Sequence, residues 1–170
     1  MLKPNFYTQI TEEGNYGKFV LEPLPLSFAN SLGNALRRTI LSSLKGAAVT
    51  QIKIDGVPHL FSTIKGVKES VLEMVMNIKQ MKFKVEGEQK KFKIHLDVKG
   101  SKKIFAKDFE GEIKPVNEDL YIAEITDDKT KLSIEAIVEV GYGYVTAEEK
   151  EDKETGFIAL DAFFFTYKKG

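Results

Sequence analysis

Two histidines, two adjacent arginines and 25 acidic side chains are the groups here most able to do chemistry. Their spacing argues for recognition rather than for bond making. His59 and His95 lie far apart, and neither has partners of ligand type at metal-binding or catalytic spacing. His95 falls on the polar side of an alternating segment, which reads as surface, and His59 follows Pro58 in a loop. No pair of carboxylates sits in an apolar setting that would tune a general acid. Gly141-Tyr-Gly-Tyr-Val145 follows a strand but leads into a charged loop, so it is no phosphate cradle before a helix. It reads instead as a turn or bulge at a sheet edge. There is no cysteine, which excludes disulfides and thiolate metal sites and is compatible with a reducing cytosol. The residues point to no catalytic group, no metal ligand and no cofactor in this chain.

The arginines are the exception. Arg37 and Arg38 interrupt an otherwise apolar run between Ser31 and Leu44. Phe28, Leu32, Leu36, Ile40 and Leu44 recur every four residues and form a slowly drifting helical stripe. Leu41 and Ala35 widen it beyond one core contact. Ser27 is placed to cap the N-terminus, and Gly46 to end the helix in a left-handed conformation. Periodicity alone is equally served by an ordinary core helix whose arginines are solvated or paired with a carboxylate. Guanidinium groups within an apolar surface suit a face that meets another protein.

The elements around this helix are mostly strands. Lys18 to Glu22 reads as a strand, broken by Pro23 and Pro25. Val49 to Asp55 reads as another, ended by Gly56 and Pro58. Val67, Val71, Leu72, Val75 and Ile78 keep helical spacing and predict a helix over about 67–78. Period-two alternation over 81–86, 92–98 and 132–140 predicts sheet with one wet face, the first two segments paired as a hairpin through Glu86-Gly-Glu-Gln-Lys90. Residues 99–103 and 127–129 read as polar turns, and the charge run 148–154 as a solvated mobile loop. The first fifteen residues read as loose. No segment approaches the length of a membrane-spanning helix, and no signal-peptide core is present. Lysine plus arginine equals aspartate plus glutamate at 25 each, which offers no electrostatic case for binding a nucleic-acid backbone. With 170 residues the chain can hold one domain or two small ones.

Leu32-Gly-Asn-Ala-Leu-Arg-Arg38, followed by Leu41-Ser-Ser43, closely resembles the first long helix of the bacterial RNA polymerase alpha-subunit family. Phe19-Val-Leu-Glu-Pro-Leu24 resembles the strand before it, and Gly46-Ala-Ala-Val-Thr50 with Ile52-Lys-Ile-Asp-Gly-Val57 the strand after it. His59, Phe61-Ser-Thr63 and Gly66-Val-Lys-Glu69 resemble the next block; Gly143-Tyr-Val145, Ala147-Glu-Glu149, Ile158 and Leu160-Asp-Ala162 resemble two later ones. The matches are collinear over about residues 17–165.

The resemblance implies an α+β fold: a dimerisation domain with an inserted mostly-β domain. Residues 1–50 would be the first half of the former, 51–165 the insert, and 166–170 a tail. The family's returning dimerisation segment and its C-terminal DNA-binding domain are not in the 170 residues, so the expectation is an exposed apolar patch that depends on a partner. The implied role is a non-catalytic scaffold that dimerises and docks the beta and beta-prime subunits, with polymerisation and its magnesium belonging to those partners. Arg38 matches the family arginine associated with beta contact. Arg37 and Leu41 accompany it, and His59, Ser62, Thr63 and the loop to Glu69 resemble a second contact block. Phe28, Leu32, Leu36 and Ile40 are candidates for the dimer seam, against the equal alternative of an intrasubunit core. No direct DNA contact and no membrane association are implied. The setting would be the cytoplasm, near the nucleoid, or a plastid stroma.

The chain departs from the family at Pro25-Leu26-Ser27, Ala29, Leu60, Tyr142, Thr146 and Phe164-Phe-Thr-Tyr167, which marks a divergent lineage. Two readings compete with the scaffold. One is a stand-alone binder that competes for beta; the other is a small carboxylate hydrolase, which nothing in the spacing favours.

Overall fold

The computed structural model describes residues 7–14, 16–150, 152 and 154–164. Two compact units divide between Ile40 and Leu41. In the first, β1 (Tyr7–Glu13) and β2 (Tyr16–Glu22) form an antiparallel hairpin, turned by Gly14 at a φ of 57°. Of the segment read as loose, Tyr7–Glu13 is a strand, and residues 1–6 and 15 lie outside the described residues: Ile10 stands opposite Phe19, and Tyr7 opposite Glu22, where the phenol donates to the carboxylate at 2.8 Å. Cross-strand pairs supplied the order that composition hid. Helix α1 runs from Phe28 to Ser43. Ser27 precedes it at a φ of 67°, outside the extended conformation a capping serine adopts, and the Phe28 N–H bonds the Pro25 carbonyl.

The second unit is built on an antiparallel sheet of five strands. Its members are β3 (Lys45–Ile54), β4 (Lys91–Lys99), β6 (Glu110–Gly111), β8 (Lys131–Tyr142) and β10 (Ile158–Ala159), in the order β10-β3-β8-β4-β6. Two ribbons flank it: β5 (Lys102–Phe105) with β7 (Tyr121–Ile125), and β9 (Tyr144–Val145) with β11 (Ala162–Phe163). Helix α2 (Val71–Ile78) turns Val71, Met74, Val75 and Ile78 into the core. They join Ile52, Ile54, Ile94, Leu96, Ile122, Ile125 and Ile134 in one buried cluster. The residues of β4 divide between core and solvent as period two requires; β8 does so from Lys131 to Ala136, but Ile137, on the opposite face, is buried as well.

Three expectations change here. The second helix begins at Val71, not near Val67. Val67 instead bridges Ile125, and Lys68 N–H bonds the Glu124 carbonyl, so this segment lies extended along β7. A capping box starts the helix: Ser70 Oγ accepts from Glu73 N–H at 3.3 Å, and Ser70 N–H donates to the Glu73 carboxylate at 2.8 Å. Residues 81–86 alternate in burial but form no hairpin with β4. Both edges of β4 are taken by β8 and β6, and Phe83 pairs only as an isolated bridge with Pro115. Gly46 ends no helix; it lies inside β3, opposite Gly141 of β8. A Cβ on Gly46 would fall 1.4 Å from the Phe164 carbonyl oxygen, and one on Gly141 2.8 Å from the Phe164 ring. The glycine pair is the notch in which the buried Phe164 lies.

The described part of the charge run, residues 148–150, 152 and 154, is strapped to the sheet although partly exposed; residues 151 and 153 lie outside the described residues. Gln51, buried on β3, donates to the Asp152 carbonyl at 2.8 Å and accepts from Glu154 N–H at 2.9 Å. Glu154 bridges Lys91 at 2.8 Å and Lys93 at 3.0 Å, and Lys150 meets Glu139 at 2.5 Å. Hydrogen bonds from Lys91 and then Lys93 hold the Glu154 carboxyl below its ordinary value of 4.5, and the bond to Glu154 lifts Lys91 above its ordinary 10.5. The depressed carboxyl contributes stability above about pH 4.5 that disappears as pH falls through its folded value. The raised lysine contributes below about pH 10.5 and fades as pH rises through its own folded value. Burial works the other way on Lys150, whose amine is pushed down, so its protonated form opposes the strap. The Glu154 N–H, held by Gln51, is therefore expected to lose protection from hydrogen exchange as pH falls from about 5 to about 3, before β3 and β8 do. Simultaneous loss of protection in strap and sheet would contradict this.

Candidate functional site

The residues singled out by the sequence fall on two elements. The first is α1, none of whose residues is buried. Phe28, Leu36 and Ile40 are 42%, 46% and 44% exposed, while Leu32 and Leu41 are half-buried. A helix with this much apolar side chain in water forgoes roughly 1.5–3 kcal/mol for each large residue a partner surface would fully cover. At ~100° per residue, Phe28, Leu32, Leu36 and Ile40 drift across one side. Leu41 falls between Arg37 and Arg38 around the helix, and all three lie roughly 120–160° from the midline of that stripe. The helix thus offers two faces: one apolar, and one a leucine flanked by guanidinium groups. The planar fork of arginine pairs bidentately with carboxylates and is cheaper to desolvate than a lysine amine.

The second element is the loop from Asp55 to Ser70, between β3 and α2. His59, Ser62 and Thr63 stand together on it: the Ser62 hydroxyl lies 3.2 Å from His59 Nδ1, and Ser62 N–H bonds the His59 carbonyl. Thr63 bridges Ser70, and Val71 N–H returns to the Ser62 carbonyl. Val57, Leu60, Ile64 and Val67 all turn inward against the core. Gly66, at a φ of 84°, lets the backbone press on Thr130, whose Oγ1 donates to the Lys65 carbonyl at 3.1 Å.

The base of this loop is held by a residue that spacing did not single out as a site. Glu69 accepts Tyr121 O–H on one carboxylate oxygen and Glu124 N–H at 2.8 Å on the other. Lys68 pairs with Glu124 at 3.2 Å. Burial first, then the bond to Glu69 and the charges of Glu69 and Glu124, push the Tyr121 phenol far above its ordinary value of 10.0, so it stays a donor. Tyr121 lies 52 positions from Glu69, beyond the reach of any local pattern. The loop thus holds its polar trio on a rigid base, an arrangement suited to docking a surface.

His95 lies exposed on β4, opposite Glu135 on one side and Glu110 on the other. Among the described residues, no group of three or more histidine, aspartate or glutamate side chains is arranged to hold a metal ion. None of the described helices is long and apolar enough to cross a membrane.

The sequence comparisons agree on one family. A family model described as the RNA polymerase Rpb3/RpoA insert domain matches residues 52–165. A protein of Clostridium botulinum (strain Eklund 17B / Type B), named DNA-directed RNA polymerase subunit alpha, is 43% identical over 165 residues, or 95% of this chain and 52% of its own length. Proteins of the same name from Syntrophomonas wolfei and Limosilactobacillus reuteri are 45% and 39% identical, over 88% and 95% of this chain and 48% and 52% of theirs. The chain therefore spans about half the length of these relatives. With the insert-domain match covering most of an α+β chain built largely of strands, this protein belongs to the bacterial RNA polymerase alpha-subunit family.

Proposed function

We propose that this chain is a non-catalytic assembly scaffold of DNA-directed RNA polymerase in transcription. In this reading residues 1–50 serve dimerisation and residues 51–165 form the inserted domain. Two copies pair through Phe28, Leu32, Leu36 and Ile40. The opposite face of α1, Arg37, Arg38 and Leu41, docks the beta subunit together with His59, Ser62 and Thr63, and the pair presents a platform to beta and beta-prime. Nucleotide transfer and its magnesium reside in those large subunits, and this chain supplies no cofactor. It makes no direct contact with DNA, in keeping with equal numbers of basic and acidic side chains. It works in the cytoplasm, near the nucleoid, or in a plastid stroma.

The observation that carries this reading is α1 itself. It buries none of its residues and separates an apolar stripe from an arginine-flanked leucine. Both faces are of the kind interfaces use: apolar surface for burial, arginine for directional pairing.

The test is recovery of purified beta by the tagged chain, alongside light scattering of the chain alone. Arg38→Ala is expected to lower beta recovery roughly tenfold and leave the mass unchanged. Leu36→Glu is expected to convert dimer to monomer, because it sets a charge in the seam. Failure of the unsubstituted chain to recover beta, while folded, would sink the reading.

A further inference from the structure

We propose that Lys150 is an acylation site, its amine taking the acyl group of a small acyl phosphate seated against the ends of β4 and β8. The site is separate from α1 and from the loop Asp55–Ser70, and the inference goes beyond the assembly reading. The Lys150 side chain is 10% exposed, and its Nζ donates to the Glu139 carboxylate at 2.5 Å. An amine paired with a carboxylate base beside an open cavity is the arrangement that acyl transfer requires.

The cavity, of about 450 Å³, lies against both groups. Lys90 and Lys91 line it at the start of β4, Val140 near the end of β8, and Val145 on β9. Lys91 stands opposite Glu139 across the ladder, and Val140 N–H bonds the Lys90 carbonyl at 2.9 Å, so the sheet fixes both lysine backbones beside the pair. The two ammonium groups suit a phosphate dianion, and the two valines a short alkyl chain. Lys91 also pairs with Glu154 at 2.8 Å, which leaves exposed Lys90 as the freer cation. Glu149 and Asp152 border the cavity as well; Glu149 accepts from Thr146 N–H at 3.1 Å, and Asp152 is exposed. Burial, the largest influence on the Lys150 amine, outweighs the bond to Glu139 and holds the amine below its ordinary 10.5. A larger share of Lys150 is therefore free amine, the reactive form, than of an exposed lysine.

In the reaction the free amine attacks the acyl carbonyl carbon. An N–C bond forms, and the C–O bond to the phosphate oxygen breaks with its electron pair leaving on phosphate. Glu139 accepts the amine proton and passes it to the departing group, which leaves as hydrogen phosphate. The product is a neutral amide at Lys150.

The experiment incubates the whole folded chain with acetyl phosphate and follows each lysine by peptide mass spectrometry, with exposed Lys99 as the reference. Lys150 is expected to gain acetyl at least roughly tenfold faster than Lys99. Glu139→Gln is expected to slow Lys150 roughly tenfold and to leave Lys99 unchanged, with a melt recorded for the variant. Lys90→Ala, at an exposed position outside the pair, keeps the test decisive where Glu139→Gln fails to fold. It is expected to slow Lys150 about threefold toward acetyl phosphate, and not toward the N-hydroxysuccinimide ester of acetic acid, which carries no phosphate. Equal rates at Lys150 and Lys99 would overturn the proposal. So would a Lys90→Ala variant that reacts like the unsubstituted chain with both reagents.

Discussion

Gly46→Ala is expected to lower the melting temperature by roughly 6–12 °C, for a loss of about 3 kcal/mol or more. The new methyl carbon would stand 1.4 Å from the carbonyl oxygen of Phe164, an overlap that only backbone movement can relieve. Gly141→Ala has a softer conflict, 2.8 Å from the Phe164 ring, and is expected to cost less because a side chain can shift. Phe164→Ala removes the ring itself, and with it the centre of the small cluster made with Ala48 and Ala162. Its expected loss is about 3–5 kcal/mol. Gly141→Ala and Phe164→Ala act on one contact, the ring, so combining them should cost less than the sum, whereas Gly46→Ala meets the backbone carbonyl that Phe164→Ala leaves in place. Thermal melts of the three single variants and the double variant check this. A Gly46→Ala melt within 2 °C of the unsubstituted protein would show that Phe164 does not occupy the notch.

Glu69→Ala is expected to destabilise the protein by about 2–3 kcal/mol and to free the loop that carries His59, Phe61, Ser62 and Thr63. The substitution strands two donors at once, Tyr121 O–H and Glu124 N–H, in half-buried surroundings. Glu69→Gln should recover part of the loss, because the amide keeps one acceptor and turns its NH2 group toward the other donor. Tyr121→Phe removes one donor only and is expected to cost about 1.5 kcal/mol. A double-mutant cycle between Glu69→Ala and Tyr121→Phe should return a coupling near 1–2 kcal/mol, with exchange protection of Lys68 and Val71 N–H falling in step. Additive losses would mean the phenol and carboxylate act independently.

Patterning made much of the second unit legible. Period two marked the buried sides of β4 and β8, and the four-residue recurrence found α1. The errors have one physical origin: alternation tells which side chains face inward, and says nothing about which edges pair. Residues 81–86 alternate correctly, yet β4 pairs with β8 along one edge and with β6 at Ile94 and His95 on the other. Val67 fits the helical spacing of α2, but its backbone is committed to a bridge with Ile125 before the capping box at Ser70 takes effect. Gly46 follows the helix at the right distance for a terminator, and its real constraint comes from Phe164, far along the chain. The run 148–154 reads as a loose loop, yet Gln51, on a strand a hundred positions earlier, bonds the Asp152 carbonyl and the Glu154 N–H. At the candidate site, residue type drew attention to the arginines, while His59, Ser62 and Thr63 came only from the family resemblance. The anchoring role of Glu69 depends on bonds to Tyr121 and Glu124, contacts that no local pattern encodes.

The sheet order places β3 between β8 and β10, both of which come later in the chain. From the end of β3 at Ile54 to the start of β8 at Lys131, roughly 80 residues must leave the ribosome. At about 5–20 residues per second that interval lasts roughly 4–16 s. For that time the nascent chain carries Ala47, Val49, Ile52 and Ile54 on a strand with neither neighbour in place. Such an edge is open to pairing with another emerging copy. Production of this protein is therefore expected to depend on translation speed and on chaperones that shield nascent strands.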